Sequence, residues 1–196
     1  GTNIVMLGVT PAYEVSGLLR TDFYATGKAA ANMLLTWAHA QWPMAAEDSI
    51  PVAVGGQTVS DDGVQRTNGF LETIEADPYT YVAFHSDFKD ANSADETIAF
   101  TQDALTYNPE IRCFLFYEIA GAIASTQYIV GRSDLDYSEF GVFCVGQSDA
   151  GLQLVDQSVT NDKSCLRGCI SYGGEPPVVE ARGKPGVAAP HVCVVA

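Results

Sequence analysis

The chain has 196 residues, 47% of them hydrophobic and only 17% charged, so it is long enough to bury a full domain core and too apolar for disorder. A formal net charge of −14 repels phosphate backbones and anionic lipid, which sets direct nucleic-acid binding and membrane adhesion aside. No apolar run reaches the roughly 20 residues that cross a bilayer, so no membrane insertion by this segment is expected.

Strand and helix alternate six times, the pattern of a mainly parallel sheet covered on both faces. Asn3 to Val9 reads as a buried strand, followed after Pro11 by a short extended stretch from Gly17 to Arg20. Asp22 stands as the N-cap of a helix from Tyr24 to Gln41, whose Ala30, Met33, Leu34, Trp37 and Ala38 recur at helical spacing. The strand Ile50–Val54 leads into a helix that opens on Ser60-Asp61-Asp62 and ends by Ala76. The strand Tyr79–Phe84 comes next, and Ser93-Ala94-Asp95-Glu96 has the form of a capping box. That helix stops at Asn108-Pro109. Arg112–Tyr117 and Phe140–Val145 read as strands, each followed by a helix, Ala120–Ile129 and Asp149–Gln157. Cys169–Tyr172 reads as a last short strand, and from Gly173 onward the Gly/Pro-rich composition leaves no helical pattern. The expected fold class is α/β, a three-layer α/β/α sandwich.

Five cysteines are an odd count. Cys113 and Cys144 fall inside predicted strands, where a thiol acts as a small apolar side chain. Cys165, Cys169 and Cys193 leave open either reduced thiols or one disulfide among them. The three histidines are scattered and Cys165 and Cys169 have none beside them, so no metal and no cofactor is expected. No Gly-rich dinucleotide or phosphate loop, H-E-x-x-H or G-x-S-x-G is present. His85-Ser86-Asp87 has the residue types of a hydrolytic triad, but sequential neighbours on a strand point to opposite sides. The chain is read as a binding protein and not as an enzyme.

Two groups stand just beyond predicted strands, at the carboxyl edge where α/β sheets bind ligands. Arg66, Gly69 and Phe70 follow Ile50–Val54, and Asp87-Phe88 follows Tyr79–Phe84. A guanidinium with five fixed donors beside a flat aromatic face suits a polyhydroxylated ring such as a sugar.

The order of elements, with Asp22-Phe23-Tyr24-Ala25-Thr26-Gly27-Lys28-Ala29-Ala30, Arg66-Thr67-Asn68-Gly69-Phe70, His85-Ser86-Asp87-Phe88-Lys89-Asp90 and Ala122-Ile123-Ala124-Ser125, resembles the type I periplasmic sugar-binding proteins of the ribose- and galactose-binding group. LacI-type effector domains share that fold. The resemblance implies that residues 1–21 end an N-terminal lobe and cross the hinge. Residues 22–172 would form the C-terminal lobe, and 173–196 an irregular tail. Most of the first lobe would then lie outside this sequence. Function would come from ligand binding and lobe closure, with an ABC permease or a signalling protein as partner. The location would be the periplasm or the outer cell surface.

Carried over residue by residue, the resemblance makes Arg66 a donor to ring or hydroxyl oxygens, Phe88 a stacking face and Asp62 a hydroxyl acceptor. Glu118 stands where the family has Asn after the fourth strand. Gly146, with Gln147 beside it, stands for an Asp after the fifth, and Tyr172 for a Gln or Asn near the last. Gly8-Val9 replaces an Asp-Arg pair. These losses of acceptors argue against ribose, glucose or galactose as the ligand. Two alternatives stay open: the effector domain of a LacI-type regulator or sensor kinase, cytoplasmic in the first case, and a lobe that has exchanged its small molecule for a protein partner.

Overall fold

The structure, a computed structural model, describes residues 21–90 and 93–171 in full and the backbone of three short strands at 5–7, 17–19 and 192–193. In chain order the elements are β1 (Val5–Leu7), β2 (Gly17–Leu19), α1 (Phe23–Gln41), β3 (Ile50–Gly56), α2 (Asp61–Glu75), β4 (Thr80–Asp87), α3 (Ala94–Tyr107), β5 (Cys113–Phe116), α4 (Ile119–Gly131), β6 (Gly141–Val145), α5 (Asp149–Thr160), β7 (Leu166–Ile170) and β8 (Val192–Cys193). β1 and β2 pair with each other in parallel.

The main sheet runs β4-β3-β5-β6-β7-β8, with the first five strands parallel and β8 antiparallel at the edge. Every residue of β3, β5 and β6 is buried, as expected of parallel strands covered on both faces. Side chains alternate between two cores. Cys113, Leu115, Phe143 and Val145 face α1 and α2, where Ala30, Leu34, Ala38, Phe70 and Ile74 meet them. Phe114, Phe116, Val142 and Cys144 face Phe100, Ala104, Ala122, Ile129 and Val155 of α3, α4 and α5. This is the expected three-layer sandwich.

The helix starts follow their cap residues. Asp22 accepts from the Ala25 amide at 2.8 Å, and Ser60 from Gly63 at 3.3 Å. Ser93 caps α3 as expected, but the Glu96 carboxylate accepts from Asp90 (3.0 Å) and Lys89 (3.4 Å) rather than from Ser93. The predicted box therefore ties down the loop that leaves β4. The last parallel strand begins at Leu166 instead of Cys169. Arg167 interrupts its apolar run, yet the guanidinium fits by donating to the carbonyls of Phe140, Ser138 and Ser158.

Candidate functional site

The chain leaves β3 toward β4 on one side and leaves β5 toward β6 on the other, although β3 and β5 are neighbours. The carboxyl ends of two strands at such a reversal are the place where doubly wound sheets hold ligands. The starts of α2 and α4 flank it. Thr67 pins the approach to α2: its hydroxyl accepts from the Gln57 amide at 3.0 Å and donates to the Gln57 carbonyl at 3.2 Å. The Ser60 hydroxyl donates to Gln57 Oε1 at 2.9 Å.

Arg66 is buried, with 1% of its surface exposed, which corrects the expectation that it donates to a ligand's ring or hydroxyl oxygens. Its Nη1 donates to the Tyr117 carbonyl (2.8 Å) and to Glu118 Oε1 (2.9 Å), bridging from α2 to the end of β5. The guanidinium carbon lies 4.1 Å from the Tyr117 ring centre and 5.3 Å from that of Phe23, an aromatic bracket that suits a planar cation. Close helix packing makes this possible. A Cβ on Gly69 would lie 2.5 Å from the Tyr24 carbonyl oxygen, and one on Gly27 would strike the Arg66 carbonyl. The two glycines let α1 bring Phe23 against the arginine.

Tyr117 continues the pairing of β5, its amide donating to Gly55 at 2.9 Å. Its hydroxyl donates to Asp62 Oδ2 at 3.0 Å. Burial pushes the phenol up to about 12, against the pull of the Arg66 charge and with a further push from Asp62, so it stays protonated and the bond keeps that direction. For Asp62, burial works to raise the carboxyl. The neighbouring Ser60 hydroxyl, the bond from Tyr117, its own backbone amide and the Arg66 charge outweigh that and hold it below its ordinary range.

Glu118 opens α4 with a side chain 21% exposed. Beyond it, Gly146 has φ +89°, and a Cβ there would lie 2.7 Å from Glu118 Oε2. The glycine thus serves two ends: it takes a backbone shape that L side chains rarely adopt, and it vacates the space beside the carboxylate. Gln147 follows, half-buried, just before the α5 cap Ser148.

The structure brings Asp62, Arg66 and Glu118 together through Tyr117, which in the sequence stands in a predicted strand and is not singled out. A hydroxylated aromatic as the last residue of an apolar strand, next to a charged one, was the available signal. Phe88 is a correction. Its ring is 4% exposed and packs edge-on to Phe100 (5.3 Å) and nearly parallel to Phe116 (6.2 Å). It therefore offers no face to a ligand and does not share a gap with Arg66; the rings beside the arginine are Tyr117 and Phe23. Tyr172, Gly8 and Val9 lie outside the described residues. His85 Nε2 and Asp87 Oδ1 are 3.2 Å apart, and Asp87 Oδ2 accepts from Thr58 at 3.3 Å. The acid stands between the other two residues, whereas a nucleophile relay needs the histidine in the middle. A separate concavity of about 620 Å³ lies at the opposite ends of the strands, beside Trp42, Met44, Arg112 and Glu139.

No protein-family model matches the chain, and no curated protein matches it. Solved structures do. A sugar-binding protein of a sugar ABC transporter from Bacillus halodurans superposes with a TM-score of 0.69 at 19% identity, over 85% of this chain and 52% of that one. An arabinose-binding protein from Geobacillus stearothermophilus gives 0.66 at 17% identity, over 86% and 52%. A carbohydrate transporter solute-binding protein from Agrobacterium radiobacter, in complex with D-arabinose, gives 0.66 at 18%, over 86% and 54%. The fold is that of a type I periplasmic-binding-protein lobe. The chain spans about half the length of the structures it matches, 52% of the first.

Proposed function

We propose that this chain is one lobe of a solute receptor that takes a sugar or a related polyhydroxylated molecule and hands it to an ABC importer, acting outside the cytoplasmic membrane. The observation that carries the reading is the linked set Asp62–Tyr117–Arg66–Glu118 at the point where the strand order reverses. Carboxylate oxygens accept from sugar hydroxyls, and the chemistry asked of them is recognition alone. Arg66 serves by fixing Glu118 and Tyr117, and Gln147 would extend the rim. A second lobe closing over the first would bury the other side of the ligand.

Thermal-shift screening of the chain against pentoses, hexoses and polyols tests this. Stabilisation by at least one is expected, with Asp62→Asn weakening it about tenfold, as for loss of a charged hydrogen bond. If no member of the panel stabilises the wild-type chain, the receptor reading fails.

A further inference from the structure

The mouth contains features that attract anions: a guanidinium, and the starts of α2, α4 and α5, where unpaired amides and the helix dipole favour negative charge. A carboxylate of the chain itself stands at each, although Glu118 makes no side-chain cap bond at α4. Glu118 Oε1 takes Arg66 Nη1 at 2.9 Å. Asp61 and Asp62 occupy the first turn of α2, Asp149 that of α5, and Glu118 is the residue that opens α4. The space that would hold a side chain at 146 is the space beside Glu118 Oε2. The hydrogen-bonded set therefore holds two carboxylates, Asp62 and Glu118, to one buried guanidinium. Asp62 stays ionised at neutral pH, since its carboxyl is held below the ordinary range by Ser60, Tyr117 and Arg66 in spite of its burial.

Resting on the receptor reading, we propose that this mouth selects by charge: it accepts neutral polyols and turns away their carboxylated and phosphorylated counterparts, with Asp62 and Glu118 as the specificity-determining residues. An acidic sugar would meet two like charges beside a guanidinium that is already engaged, and like charges facing each other at an interface discriminate strongly. Neutral hydroxyls meet the same oxygens as acceptors.

The test is a ligand-observed NMR titration of the chain with matched pairs: D-arabinose against D-arabinonate, D-galactose against D-galacturonate and D-glucose against D-glucuronate. We expect the neutral member of a binding pair to be preferred at least about tenfold at low salt, and the preference to shrink as salt screens the carboxylates. Glu118→Gln and Asp62→Asn should each let the acid in, and the second variant leaves the Arg66 pair whole should the first unfold. Acids that bind as well as their neutral partners overturn charge selection while leaving the receptor reading intact. A preference that neither salt nor either variant alters marks steric exclusion and overturns the proposal as well. If neither member of any pair binds, and no other pentose, hexose or polyol of the panel does, the receptor reading falls and the selectivity with it.

Discussion

Arg66 and Tyr117 are joined twice: the guanidinium donates to the tyrosine's carbonyl at 2.8 Å and lies 4.1 Å from the centre of its ring. One cation thus fixes both the backbone at the end of β5 and the ring whose hydroxyl reaches Asp62. A helix on one face of the sheet is tied to the strand end.

Removing that cation should cost stability before it costs anything else. Arg66→Ala leaves the Tyr117 carbonyl and the Glu118 carboxylate without this donor, in a site where the arginine is 1% exposed. A loss of about 2–4 kcal/mol is expected in urea unfolding. Arg66→Lys should recover only part of it, because an ammonium keeps the charge but not the planar fork between two rings. A change below about 0.5 kcal/mol for the alanine variant, the range of ordinary surface substitutions, would contradict the bridge.

Phe88 should behave as a core residue. Truncation to Ala opens a cavity against Phe100 and Phe116, and the unfolding free energy should drop by about 3–5 kcal/mol. A stable Phe88→Ala protein with lost ligand response would return the ring to the mouth.

Gly146→Ala should be damaging for two reasons. The backbone there has φ +89°, and the new methyl would sit 2.7 Å from Glu118 Oε2. A cost of about 1–3 kcal/mol is expected from the backbone alone. Repeating the substitution in a Glu118→Ala background relieves the contact but not the backbone, so the two changes should be non-additive by double-mutant cycle. Simple additivity would separate them.

Acid should weaken the fold through Asp62. Its folded-state carboxyl lies below the ordinary value, so the stabilisation is present above the unfolded-state value and is lost as pH falls through the folded one. The window lies below about pH 4. Wild-type stability should fall more steeply there than that of Asp62→Asn, and identical acid limbs would show that the carboxylate contributes nothing.

The buried thiols should resist alkylation in the native state. Burial alone raises Cys113, and burial raises Cys165 to about 12 against the pull of the Arg167 charge. Mass spectrometry after iodoacetamide treatment should find Cys113 and Cys165 unmodified until denaturant is added; native-state labelling would contradict their placement.

Much of the scaffold is legible in the sequence because local chemistry and global fold agree. Asp22, Ser60 and Ser93 announce their helices, and the uniformly apolar runs of β3, β5 and β6 announce a doubly covered sheet. The ends of β7 are less legible, since Arg167 finds its three carbonyl partners only in the folded chain. The site is half legible. Asp62, Arg66 and Glu118 can be picked out by position, but the burial of Arg66 runs against its residue type. The signal was its place on the stripe Gly63-Arg66-Phe70-Ile74, which is buried throughout. Phe88 misleads because a phenylalanine just past a strand fits a ligand platform and a core plug equally well. Phe100 and Phe116, which decide the matter, come from other elements.

The most direct test of the receptor account is a protein-observed NMR titration of the isotope-labelled chain with the neutral sugars and polyols at millimolar concentration. The account predicts saturable shifts gathered at Asp62, Tyr117, Glu118 and Gln147, with the groove at Trp42, Met44 and Arg112 undisturbed. Shifts confined to that opposite groove, or no saturable shift with any of them, would contradict it.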